Sequence, residues 1–188
     1  PSNWTNTDVV AMASTDVTGF TIQTSTDGTT WSNTSSQTRA TNGSIYARLW
    51  DGTNAGGMLA GNVTKIDKEA PKSFTPTTSS TTNSITVVAN TTDQTKTPTN
   101  GESGMERYSF SKDEGKTWTE WQTNGTYKFN DMLKDINGST YNIVVQAKDK
   151  AQNITTSTIV QATTAKNMEY YINEKDKLLA TILNDQDA

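Results

Sequence analysis

The sequence predicts an all-β chain: two tandem β-sandwiches followed by a short C-terminal amphipathic helix. Three observations predict it. Apolar residues alternate strictly in several short segments, one series of motifs is written twice, and composition changes abruptly from residue 165 onward.

The alternation comes first. "SITVVAN" puts Ile85, Val87 and Ala89 on one face. "RYSFSKD" does the same for Tyr108 and Phe110, and "TYNIVVQAKD" for Tyr141, Ile143, Val145 and Ala147. In the first half, "DVVAMAS" aligns Val9, Ala11 and Ala13, and "SIYARLWD" aligns Ile45, Ala47 and Leu49. A period of two marks a strand with one wet face, and two such sheets bury their apolar faces against each other.

The repeat comes next. "STDGTTW" and "SKDEGKTW" are two copies of one acidic, glycine-broken turn that ends in tryptophan. Phe20-x-Ile22 parallels Tyr108-x-Phe110, and Trp31 parallels Trp118. Asn42-Gly43-Ser44 parallels Asn137-Gly138-Ser139, Tyr46 parallels Tyr141, and Asp51 parallels Asp149. Shared order with unequal spacing means one fold copied with different loop lengths. Gly28 and Gly115 supply the positive φ of a hairpin loop, while the aspartates bond to nearby backbone. The tryptophans follow where the chain re-enters the sheet, and a large ring there covers an open edge of a small core.

Composition narrows function. The 188 residues carry a net charge of -4, with a pI near 4.8. Nucleic-acid binding and a polybasic membrane anchor both need a Lys/Arg surplus that is missing. No apolar run approaches the ~20 residues of a membrane span. The start "PSNWTNTDVV" has no charged n-region and no apolar h-region, so it does not read as a signal peptide. Cys and His are both absent, which removes disulfides, thiol chemistry and the usual neutral-pH base. Thr dominates, yet five Trp, six Tyr and four Phe remain, unlike a disordered chain.

These residues carry a family likeness. "YSFSKDEGKTW" and "YKFNDMLKDINGSTYNIVVQAKDKAQN" resemble a fibronectin type III or Ig-like repeat of Gram-positive extracellular proteins. The resemblance implies that Leu133 and Tyr141 form a tyrosine corner, whose hydroxyl bonds back to nearby backbone. The first half is similar to bacterial Ig-like repeats through "NWTNTDVVAMAS", "STDGTTW", "NGSIYARLWD" and "NVTKIDKEAP". It departs in "GTNAGGMLAGN", a longer glycine-rich loop near the end of the repeat. The implied domains are 1–67, an Ig-like sandwich without the family's first strand; 68–72, a linker; 73–164, a fibronectin III-like sandwich; and 165–188, a helical tail. "KSFTPTT" supplies a first strand to the second copy only. The chain is therefore expected to start inside a longer array, with strand donation by a neighbour as an alternative.

The linker "KIDKEAPKSF" reads as a solvated joint fixed by Pro71. Asp67 and Glu69, helped by Asp51 or a second-domain loop, offer oxygen ligands for Ca²⁺ between the domains. In the tail, Met168, Tyr171, Ile172, Leu178, Leu179, Ile182 and Leu183 recur at near-helical spacing, with Asn167 as a cap.

The expected function is non-catalytic: a spacer or stalk in a bacterial cell-surface or secreted protein, with neighbouring repeats of the parent protein as partners. One alternative is an adhesion module for host protein or glycan, with Trp50, Trp121 and Tyr170 as ligand-facing aromatics. Another is a phage tail or virion decoration protein. Asp113/Glu114 and Asp131/Asp135 are the carboxylate pairs that a glycosidase would need in a cleft. They fall in turns, where acids are common, so no enzyme is expected. A Lys72–Asn153 isopeptide crosslink with Glu106 as its acid is a further alternative.

Overall fold

The computed structural model describes residues 1–94, 101–135 and 137–167. Their strands are β1 Val9–Met12, β2 Thr21–Ser25, β3 Ser36–Arg39, β4 Gly43–Trp50, β5 Leu59–Val63 and β6 Thr77–Ser80. β7 Ile85–Val88, β8 Met105–Ser111, β9 Thr126–Phe129, β10 Thr140–Asp149, β11 Ile154–Thr156 and β12 Val160–Thr163 complete them. The described fold is all-β, built of antiparallel sheets. The helix expected over 165–188 lies outside the described residues from 168 on.

Two compact units form. Unit 1 comprises Pro1–Lys72, Thr92–Glu106 and Lys148–Ile154; unit 2 comprises Ser73–Thr91, Arg107–Ala147 and the chain from Thr155 on.

Unit 1 pairs β1 with β3 and orders its other sheet β2-β4-β5, all antiparallel. Its core is Ile45, Val63 and Ile66, with Val9 and Ala11 of β1 packed against it. Val10 and Met12, the alternate residues of β1, are 59% and 80% exposed. The period-two pattern thus translates directly into an inner and an outer face.

Unit 2 orders one sheet β6-β7-β9 and builds the other on β10, which pairs with β8, β11 and β12. Ile85, Val87, Phe110, Ile143, Val145 and Ala147 are completely buried. Phe110 stacks on Tyr127 at 5.5 Å between centroids, and Tyr127 meets Phe129 edge-on at 4.8 Å. Ser109 and Ser111 of β8 are buried as well. Alternation treats them as outward-facing, but both hydroxyls are satisfied, Ser109 Oγ donating to Thr119 O and Ser111 Oγ to the Asp113 carboxylate, each at 2.7 Å.

The repeated turn uses one device twice. Asp27 Oδ1 accepts from the Thr29 and Thr30 N–H groups, both at 2.7 Å, and Gly28 sits at φ +76°. Asp113 accepts from the Thr117 hydroxyl at 2.6 Å and the Thr117 N–H at 2.9 Å, with Gly115 at φ +86°. Ser25 Oγ and Ser111 Oγ accept from the Gly28 and Gly115 N–H groups, each at 2.9 Å. Donors aimed at a carboxylate favour its ionised form. Those from Thr30 and Thr29 hold Asp27 well below the usual range, and those from Thr117 hold Asp113 at about 2. The tryptophans behave differently. Trp31 lies under the Arg48 guanidinium at 4.0 Å. Trp118 stays 36% exposed beside Gly115 instead of sealing an edge.

The tyrosine corner is formed: Tyr141 Oη accepts from the Leu133 N–H at 3.1 Å. The Leu133 side chain is 71% exposed, and its neighbour Met132 is the one buried. Replacing Tyr141 by Phe removes one hydrogen bond and is expected to lower the unfolding free energy by about 1 kcal/mol. Phe110→Ala opens a core void and is expected to cost about 3–5 kcal/mol. Urea unfolding followed by tryptophan fluorescence measures both.

Candidate metal centre

Each of the three chain segments of unit 1 contributes one aspartate to a single cluster. Asp67, Asp93 and Asp149 are 0%, 4% and 0% exposed, and one carboxylate oxygen from each lies within 4.8 Å of the others.

Local hydrogen bonds position each acid. Thr5 and Ile66 form a parallel bridge, and the Asp67 N–H donates to Thr5 O at 2.9 Å. Asp67 Oδ1 then accepts from the Glu69 N–H at 3.1 Å, and Oδ2 from the Ser103 N–H at 2.8 Å. Asp93 follows β7. Its Oδ1 accepts from the Gln94 N–H at 2.9 Å, and its Oδ2 from the Gly104 N–H and, at 3.3 Å, from the Ser103 hydroxyl. Asp149 closes β10 and starts a tight turn in which Gln152 adopts φ +74°. The Asp149 oxygens accept from the Asn153 N–H at 2.9 Å and the Asn153 Nδ2 at 2.8 Å. The Asn153 amide also donates to Asp67 O at 2.9 Å and Glu69 O at 3.2 Å, tying the first and third segments together.

The donors named here are backbone amides, a hydroxyl and a carboxamide, all neutral. Lys68 pairs with Asp8, and one pairing of Lys148 is with Glu106 at 3.8 Å. Burial pushes the Asp149 carboxyl above its usual range, against the Asn153 hydrogen bonds, and the charges of Asp67 and Asp93 add to that rise. Oxygen donors converging from three segments, with no His or Cys in the chain, fit a hard divalent cation such as Ca²⁺ and not Zn²⁺.

The geometry revises several expectations. Asp67 belongs to the cluster, and Glu69 borders it through its backbone carbonyl and N–H. Asp51 caps its own loop, accepting from the Thr53 and Asn54 N–H groups at 2.7 and 2.6 Å. Its repeat counterpart Asp149 takes the place expected of it. The linker is not solvated throughout, because Asp67 and Pro71 are fully buried. Asn153, considered for a crosslink, is committed to Asp149 and two carbonyls, while Glu106 accepts from Gln152 at 2.8 Å. Asp93 carried no sequence signal beyond lying in a polar loop after an alternating strand.

The other sequence candidates sit as follows. Trp50 is half-buried on β4, with the Arg48 guanidinium 5.9 Å from its ring. Trp121 is half-buried in unit 2 and Trp50 belongs to unit 1, so no one sheet face presents both. Tyr170 lies outside the described residues. Asp135 accepts from the Asn137 N–H at 2.9 Å, and Glu114 from the Asn142 amide at 3.4 Å. With Asp113, these acids are engaged in their own turns and strand ends.

No family model and no curated protein matches this sequence. Solved structures do match. One is the FN1–FN3 region of chicken CNTN1, at 12% identity and a TM-score of 0.40, over 87% of this chain and 62% of that one. The chain thus spans less than two thirds of that structure's length.

Asp149 makes stability depend on pH in an unusual direction. An acid whose folded pKa is raised contributes stability that is fully present below its ordinary value of 3.8 and is lost as pH rises through the raised value. Asp27, Asp51 and Asp113, whose pKa values are lowered, act oppositely: their contribution is present above 3.8 and lost on acidification. In chelator, the unfolding free energy of Asp149→Asn relative to wild type is therefore expected to climb as pH rises from 3.8 toward neutrality. Denaturant titrations at several pH values check the sign; a flat difference would remove Asp149 as the titrating group.

Proposed function

We propose that this chain is a non-catalytic, extracellular spacer segment of a bacterial surface or secreted protein, and that Ca²⁺ locks its first unit. The spacer reading is supported by the repetition of one sandwich plan, with the same Asp-capped turn built at Asp27 and Asp113. Of the acids considered for catalysis, Asp113 and Asp135 accept hydrogen bonds within their own turns. The glycan-binding alternative draws less support, because Arg48 flanks both Trp31 and Trp50.

The calcium reading rests on one observation, the joint burial of Asp67, Asp93 and Asp149. Burying ionised carboxylates without an opposite charge is costly. A divalent cation removes that cost and gives the three segments a common anchor. Ca²⁺ takes six to eight oxygens, so Ser103 Oγ, backbone carbonyls and water would complete the shell. Extracellular modules bind it with Kd values of about 10⁻⁴–10⁻³ M. Neighbouring repeats of the parent protein are the partners this reading implies.

At about 10 mM Ca²⁺, the thermal midpoint of unit 1 is expected to rise by at least about 5 °C over its value in chelator. Asp93→Asn should abolish the rise, and Mg²⁺ should reproduce it poorly. Force spectroscopy should show a matching calcium-dependent increase in the unfolding force of one unit only. A midpoint indifferent to Ca²⁺ would sink the metal reading and leave the spacer reading standing.

A further inference from the structure

The two units repeat one strand plan, except that β6 and β11 of unit 2 have no counterpart among β1–β5. The β1-β3 pair of unit 1 corresponds to β7-β9 of unit 2, and β2-β4-β5 corresponds to β8-β10-β12. In unit 2, β6 adds to the outer edge of β7, with Thr77 opposite Val88 and Ser80 opposite Ile85. Among the described residues of unit 1, no strand takes the corresponding place beside β1.

That place is an open groove of about 190 Å³. Thr24, Ile45 and Ala47 floor it, with β1 on one side and β5 on the other. Its rim leaves Met12 80% and Leu59 72% exposed. The Ala13 N–H donates to Ser35 O on the β3 side. Backbone groups of an antiparallel strand alternate in direction, so the Val10 and Met12 N–H groups face the open edge.

We propose that this groove is a binding site for an extended, uncharged polypeptide strand with apolar side chains at alternate positions. The occupant's chemistry is specified by the segment that fills the same place in unit 2. There Phe74 and Pro76 are buried while Thr75 and Thr77 are exposed. The Phe74 carbonyl accepts from the Thr158 N–H at 3.1 Å, and the Thr75 and Thr158 hydroxyls share a hydrogen bond at 2.8 Å. The segment thus touches β7 through its ladder and the stretch before β12 through its start, bridging the two sheets. Charge agrees: the groove lining has no ionisable side chain, and neither does Phe74–Ser80, "FTPTTSS". Main-chain bonds to Val10 and Met12 would supply affinity, and a Phe-sized side chain in the groove would supply selectivity.

The probe is the sequence of Lys72–Ser80, "KSFTPTTSS", fused ahead of Pro1 of the full chain through a flexible Gly/Ser linker, which keeps its local concentration near ~1 mM. Amide hydrogen exchange by NMR should slow at least tenfold at Val10 and Met12. The same fusion with the probe's Phe replaced by Asp should leave their exchange rates at those of the unfused chain. Unchanged exchange in both fusions overturns the proposal. Equal slowing in both overturns the apolar requirement. If Val10 and Met12 are already protected in an unfused chain that sediments as a dimer, a second copy fills the groove and a heterologous strand does not. Added in trans, the free peptide should compete with the fused strand in a dose-dependent way.

Discussion

Three carboxylates buried within 4.8 Å of one another set the terms for unit 1. Two unit charges at that separation repel by about 3.5 kcal/mol at an effective dielectric constant of ~20. Three such pairs together rival the 5–15 kcal/mol that holds a typical domain folded. Neutral hydrogen-bond donors orient the oxygens but cancel no charge. Something positive must accompany the cluster whenever all three acids are ionised, and the choice lies between protons and a cation. On the calcium proposal, a divalent ion would answer the electrostatics with a single ligand and would give chain segments far apart in sequence a common anchor.

The same residue type does opposite work elsewhere. Asp27 and Asp51 are exposed and Asp113 is half-buried; each receives two or more donors from its own loop, and each is held in its ionised form. Those acids stabilise a turn locally, and solvent screens their charge. Asp67, Asp93 and Asp149 receive comparable hydrogen bonds but lie where water does not reach. Environment, not residue identity, separates a capping acid from a candidate ligand. The chain therefore carries several aspartates committed to local turns and three that converge in a buried cluster.

That distinction also explains what was legible in the sequence. Ile85, Val87, Phe110, Ile143 and Val145 could be read as core because burial follows a local period of two. The corner at Tyr141 came from the family resemblance, and its hydroxyl does accept from the Leu133 N–H. The Asp-Gly turns were equally local. The cluster was only a third legible: Asp67 stood beside a proline and drew attention, while Asp93 and Asp149 reach it through the topology of whole sheets. Alignment of the repeats paired Asp51 with Asp149, and the two loops differ. Asp51 folds back on Asn54, whereas Asp149 meets Asn153, whose amide also reaches the Asp67 carbonyl. Ser109 and Ser111 were missed because a small hydroxyl with a partner can be buried on a face that the pattern marks as wet.

The asymmetry between the units concerns edges. An open edge strand with exposed apolar residues is a template for pairing with other chains, and proteins commonly blunt such edges with lysine, proline or a bulge. β6 does this for unit 2: it is short, threonine- and serine-rich, and preceded by the buried Pro76. β1 does none of it. Its four residues are "VVAM", with no charge and no proline, and Met12 and Leu59 stand exposed on either side of the groove. A sequence so rich in Thr, Asn and Ser elsewhere has polar residues to spare for that edge. Leaving it apolar costs solubility unless something covers it, and the shape and neutrality of the gap match a single β-strand.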